Sequence, residues 1–230
     1  MVQYYLQLKL KGILKMRFRR KKHLDDRLQA CSDIIIYDIE KFNNNIKSVF
    51  PDDNPVCMEI GCGKGKFILE TATKNPDTNY IAVEKNMNAL LLAAEKIKRA
   101  ELENVKFIAG DVNMLRFFET ETKCDIIYIN FCDPWHKNSY RRKRLTHKNH
   151  LMLWEKLLKP NGEIHFKTDN RMLFEFSLNS FSEYDMRLKN ITFDLHNSDF
   201  EGNVVTEYEQ IFSEKGQPIY RCEASFRSNE

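Results

Sequence analysis

Residues 58–67 read Met-Glu-Ile-Gly-Cys-Gly-Lys-Gly-Lys-Phe, which sets an acid, Glu59, near the end of an apolar run and glycines at Gly61, Gly63 and Gly65. Glycine at that spacing lets a backbone turn sharply off a strand and approach a ligand that any Cβ would displace, so the segment reads as a cofactor loop. A dinucleotide fingerprint counted from Gly61 would need its third glycine at position 66, where this chain has Lys66. A second stretch, 130–146, carries Asp133-Pro134-Trp135 and then the cations Lys137, Arg141, Arg142, Lys143 and Arg144. A cluster of cations beside a carboxylate and an aromatic ring would attract phosphates, which points to a nucleic-acid partner.

These groups need elements to hold them. Continuous apolar runs at 56–60, 79–83, 105–109, 125–130 and 163–168 predict buried strands. Helical periodicity follows the glycine loop at 67–74. It recurs at 86–100, with Leu90, Leu91, Ala94 and Ile97 on one face, and again around 148–158 before the stop signal Lys159-Pro160-Asn161-Gly162. Such alternation predicts an α/β fold, Rossmann-like, with a mostly parallel sheet covered by helices on both faces. Ligands on these sheets bind beyond the carboxyl ends of the strands. Five acids fall there in succession: Glu59, Glu84, Asp111, Asp133 and Asp169. Glu84, about twenty residues past the glycines, is placed to accept from ribose hydroxyls, and Asp111 to lie near the base.

The 230 residues allow one well-buried domain, and no apolar run approaches the roughly 18 residues of a membrane span. Six scattered cysteines without a Cys-x-x-Cys pair predict reduced thiols in the cytoplasm rather than disulfides or zinc. A net charge of only +3 means that a nucleic-acid surface must come from local clustering. Residues 1–15 are expected to be an extension, with Met16 as a candidate start. From there 16–230 forms a single domain whose basic arm is Arg17, Arg19, Arg20, Lys21 and Lys22. No signal-peptide core is present. His147 and His150 have no third ligand at metal spacing, so no metal is expected. His165 and Trp154 read as core, Trp135 as either a base-stacking or a loop-packing ring, and Cys132 lacks a histidine to activate it.

The glycine spacing with Glu59 resembles the first motif of S-adenosylmethionine-dependent methyltransferases, and Asp-Pro-Trp resembles the Asp/Asn-Pro-Pro-aromatic loop of amino-group methyltransferases. Taken together, the basic arm, Glu-Ile-Gly-Cys-Gly-Lys-Gly, Asn-Phe-x-Asp-Pro-Trp, His-Phe-Lys-Thr-Asp-Asn at 165–170 and Thr-Glu-Tyr-Glu at 206–209 resemble the bacterial tRNA (guanine-N7-)-methyltransferase family. That resemblance implies a class I methyltransferase with a seven-stranded sheet. It implies that Glu59, Gly61, Gly63, Glu84, Asp111 and Asp133 contact S-adenosylmethionine, with Asp133 also catalytic. It further implies that Lys137, Asp169, Thr206, Glu207, Tyr208 and Glu209 engage substrate and that Ser139, Tyr140, Arg141, Arg142, Lys143 and Arg144 contact RNA. The product would be 7-methylguanosine in the tRNA variable loop, made by a monomer or homodimer. Where the family usually shows Pro, Lys, Lys or another residue, Arg and His after the Trp, this chain has His136, Lys137, Asn138, Ser139 and Tyr140, which predicts a shallower salt dependence.

Guanine N7 carries an in-plane lone pair, so its methylation needs placement rather than a base, and a fixed carboxylate would stabilise the positive charge that develops. Asp133 is therefore expected to position and stabilise. Asp169 and Glu209 could each accept from the guanine N1–H edge. Two other readings remain open on the residues alone: an amino-group methyltransferase acting on RNA or protein, and a catalytically silent RNA-binding module.

Overall fold

A computed structural model describes residues 21–37, 49–117 and 123–227. Residues 1–15 and most of the basic arm lie outside the described residues. Eight strands form one sheet: β1 (Ile35–Ile36), β2 (Val56–Ile60), β3 (Asn79–Glu84), β4 (Val105–Ala109), β5 (Cys124–Asn130), β6 (Leu158–Thr168), β7 (Arg187–Thr192) and β8 (Tyr220–Ser225). Their order is β1-β4-β3-β2-β5-β6-β8-β7. The pairings from β1 to β6 are parallel, and β8 runs antiparallel to both β6 and β7. Seven strands match the expected sheet, and the two-residue β1 adds an eighth at the edge beside β4.

The helices are α1 (Leu24–Gln29), α2 (Lys66–Lys74), α3 (Met87–Arg99), α4 (Lys148–Leu157), α5 (Arg171–Glu183) and α6 (Glu207–Ser213). Alternate strand residues face opposite sides. Cys57, Tyr80, Ala82 and Phe107 pack with Leu24, Ile68, Leu90 and Ile97 of α1 to α3. Their neighbours Met58, Ile81, Ile127 and Phe166 pack with Trp154, Phe174 and Phe181 of α4 and α5. This sandwiching is why the central strands read as unbroken apolar runs.

Asn86 caps α3 by accepting from the amides of Asn88 and Ala89. The Lys-Pro-Asn-Gly turn is present, but inside β6 rather than before it. Cys124 pairs with Leu158 and Ile126 with Glu163, so residues 159–162 bulge out opposite Asp125, with Asn161 at φ 64°. Lys159 anchors the bulge through Nζ, at 2.7 and 2.8 Å from the two oxygens of the Asp125 carboxylate.

Candidate active site

The carboxyl ends of β2 to β6 bring the predicted residues to one edge of the sheet. Gly61 leaves β2 at φ 79° and donates to Val83 O of β3 at 2.8 Å. A Cβ at Gly61 or Gly63 would meet nothing within 4 Å, so these two residues border open space and are glycine for their left-handed backbone. Gly65 is different. Its Cβ would lie 2.6 Å from that of Ala93, so it lets α2 press against α3. The Glu84 carboxylate holds the loop from the next strand by accepting from Gly63 N at 2.9 Å and Asn86 N at 2.7 Å. A carboxylate offers about four acceptor positions, so others stay open to a ligand.

Glu59 is 2% exposed. One of its oxygens accepts from Asn130 Nδ2 at 3.3 Å, and Oε2 has no partner among the described residues. Burial pushes its pKa up to about 8, against the opposing pull of Asn130 and Lys167. Such an orphaned buried acceptor fits a ligand that brings a donor or a positive charge. Asp111 follows β4, with Oδ1 accepting from Asn113 N at 2.9 Å.

After β5, Phe131 and Trp135 both adopt left-handed backbone, at φ 52° and 46°. These bends bracket Asp133, which is exposed and has no hydrogen-bond partner among the described residues. Side chains rarely adopt that conformation, and its cost is often tolerated at functional turns. Phe131 stacks near Tyr208, with centroids 6.5 Å apart and planes at 20°. The half-buried Trp135 meets Tyr140 edge-on at 5.9 Å, and the Lys143 ammonium stands 4.7 Å from both rings. Lys137 and the short helical segment Asn138–Lys143 that follows it are exposed, presenting Ser139, Arg141 and Arg142 to solvent.

Two expectations need correction. Arg144 is not part of the RNA-facing run. It is 4% exposed, donates to Pro134 O at 3.0 Å and Trp135 O at 3.1 Å, and lies 4.3 Å from the Phe176 ring. It braces the Asp133 loop from beneath. Likewise Thr206 and Glu209 face inward, at 7% and 0% exposure, and form a capping box that starts α6. Glu209 also accepts from Lys167 Nζ at 2.7 Å and Asn203 Nδ2 at 2.6 Å, so its carboxylate is already committed. The Thr-x-x-Glu pattern that announces such a cap was present in the sequence. Of the four residues 206–209, Tyr208 is the one turned outward, while Glu207 pairs with Lys96 at 2.7 Å. Lys66 Nζ to Gln210 Oε1 at 3.0 Å ties α6 to the start of α2. Asp169 is half-buried at the end of β6, just before Asn170, whose side chain caps α5.

Away from this edge, Glu163, His165 and Glu223 bring potential metal-ligand atoms within 4.8 Å of one another. The two carboxylates are already paired with Lys189 and Arg221. Burial pushes the Cys132 thiol up to about 12, which leaves it a poor nucleophile.

A family model described as "Putative methyltransferase" matches residues 53–222. Among solved structures, the chain shares its fold with the 16S rRNA methyltransferase KamB, at TM-score 0.60 and 11% identity over 84% of this chain and 95% of that one. An antibiotic-related methyltransferase gives TM-score 0.56 at 17% identity, over 93% and 98% of the two chains. Family model and fold thus define a methyltransferase. Two curated relatives narrow this, both named tRNA (guanine-N(7)-)-methyltransferase. That of Bacillus licheniformis is 47% identical over 93% of this chain, and that of Clostridioides difficile 48% over 93%, each matched along its whole length. The chain belongs to the tRNA (guanine-N(7)-)-methyltransferase family.

Proposed function

We propose that this protein transfers a methyl group from S-adenosylmethionine to N7 of a guanine in the variable loop of tRNA, giving 7-methylguanosine. The observation that carries this reading is the meeting, at one sheet edge, of an open glycine loop with a buried acid and an exposed Asp133, both without a full set of partners among the described residues, the latter set between two left-handed aromatic residues. The residues fit the donor. Glu59 Oε2 is the buried acceptor for its cationic methionine end, Glu84 retains acceptor positions for ribose hydroxyls, and Asp111 stands at the next strand end.

When bound, S-adenosylmethionine supplies an electrophilic methyl group on a sulfonium. The chain supplies placement and electrostatics. N7 attacks with its own lone pair, so no residue removes a proton, and Asp133 faces the positive charge that appears on the purine. Alignment of donor and acceptor can lower the barrier by roughly 7–11 kcal/mol. Asp169 accepts from the guanine edge and Tyr208 offers a ring face. Arg141, Arg142 and Lys137 meet phosphates. A guanine held in folded tRNA reaches this edge by local opening of the nucleotide.

The test is to incubate the protein with methyl-labelled S-adenosylmethionine and unmodified tRNA, then digest to nucleosides. Labelled 7-methylguanosine is the expected product. Label on an exocyclic amine instead would replace this reading with that of an amino-group methyltransferase.

A further inference from the structure

We propose that Lys167 is a positioning residue that locks the two acceptor-side walls of the site to each other. The inference rests on the methyltransferase reading above and adds a residue to it. Lys167 lies in β6, 5% exposed, between the Asp133 loop and the 203–209 segment. Its backbone carbonyl accepts from Phe131 N at 2.9 Å, fixing the point where the Asp133 loop leaves β5. Its ammonium donates to Asn203 Oδ1 at 3.0 Å, Val204 O at 2.9 Å and Glu209 Oε2 at 2.7 Å.

An ammonium has three protons, and here all three are used on acceptors from one segment. Glu209 is equally saturated, accepting also from Asn203 Nδ2 and from the Thr206 amide, with His196 Nε2 at 3.2 Å from Oε1. The pair therefore fixes the start of α6. That start aims Tyr208 toward Phe131 and lets Glu207 and Gln210 reach Lys96 and Lys66 beside the glycine loop. The neighbouring cation across the sheet, Arg221, is engaged through Nη2 with Glu223.

A buried ion pair could instead serve stability alone, so the test must separate the two roles. Lys167→Met leaves Glu209 buried without its cation and is expected to melt well below the wild type. Lys167→Met/Glu209→Gln removes both charges and is expected to recover most of that melting temperature. In the recovered protein S-adenosylmethionine affinity should change far less than kcat, because the Glu59 and Glu84 side chains stay in place and Glu59 loses only the long-range pull of the Lys167 charge. The kcat on tRNA should nevertheless stay lower on the order of 100-fold, the effect of misplacing reacting groups by about 1 Å. Lys167→Arg keeps the charge, but its planar fork does not fit three convergent acceptors, so it should melt between the wild type and Lys167→Met and show the same kcat loss. Wild-type kcat in either folded variant would overturn the positioning role. The wild type is measured alongside by nucleoside analysis. A wild type that methylates some nucleoside other than guanosine at N7 sinks the proposed function, while the variants' ratio to it still decides Lys167.

Discussion

The proposed donor side and the proposed acceptor side of the site are built differently. On the donor side Glu59 and Glu84 are buried within strands, the glycine loop is tied by backbone hydrogen bonds, and α2 and α3 meet at Gly65 and Ala93. On the acceptor side Asp133 is exposed and the residues at 137–143 project into solvent, with Arg144 and the Lys167–Glu209 pair anchoring the walls from behind. A small cofactor must find its site ready made, because its few interactions cannot offset much reorganisation. A folded RNA brings many phosphates, and a cationic rim suffices to attract and orient it. The donor half is thus a packed interior opened at one point, and the acceptor half a surface stiffened from within.

The largest expected effect tests the one exposed group assigned to chemistry. Asp133→Ala should reduce single-turnover methyl transfer on the order of 10²-fold or more, the usual cost of losing a transition-state electrostatic partner. Its melting temperature should not move, since Asp133 makes no hydrogen bond among the described residues; a near-normal rate would remove it from the mechanism. Glu84→Ala should come next. It deletes two charge-assisted hydrogen bonds to backbone amides, worth roughly 1.5–3 kcal/mol each, so calorimetry should show S-adenosylmethionine affinity falling tenfold or more while tRNA binding holds. Equal losses in both would mean that the two sides are not separable.

The sharpest contrast lies within one basic run. Arg144→Ala strips the donors from two carbonyls and should lower stability by roughly 1–3 kcal/mol, read by thermal melting. Arg141→Ala and Arg142→Ala should leave melting unchanged and reduce the log–log salt slope of tRNA binding by about 0.7–0.9 for each phosphate left without its cation. The same melting loss in all three would place the whole run in the interior. The smallest effect concerns pH. The folded-state pKa of Glu59 lies near 8, against its ordinary value of 4.5, so the folded chain binds the extra proton between those values. The stabilisation is complete below about pH 4.5 and is lost as pH rises through 8. Glu59→Gln should flatten that part of the stability–pH curve in the ligand-free protein, and an unchanged curve would assign the dependence elsewhere.

The parallel half of the fold is readable because each buried strand is a short apolar run closed by a turn or an acid. The observed ends of β2, β3, β4 and β5 fall within a residue of those expected. The strands β7 and β8 escape such a reading; β7 is an edge strand whose residues are mostly exposed, and it carries no apolar run. Glu59, Glu84 and Asp133 are legible as candidates from their place at or just beyond the carboxyl ends of strands. The inward turn of Arg144 is not, because a buried arginine and an exposed one look alike within Arg-Arg-Lys-Arg. Lys167 is hidden for a related reason: a lysine in a strand reads as a surface residue until the segment that covers it, some forty positions later, is in place.

The antiparallel β8 carries a consequence for biosynthesis. It is the last strand in the sheet's chain order and fits between β6 and β7, pairing along six residues with the former. Until residue 220 has left the ribosome, β6 has an open edge and β7 has no neighbour. Sheet closure is therefore a late event in which the final segment must thread between two strands already made. Long-range pairing of that kind is slow and leaves hydrophobic edges exposed meanwhile. A chain halted before that point would present an unfinished sheet, a natural target for chaperones and proteases, even with every residue of the glycine loop and of the Asp133 turn already synthesised.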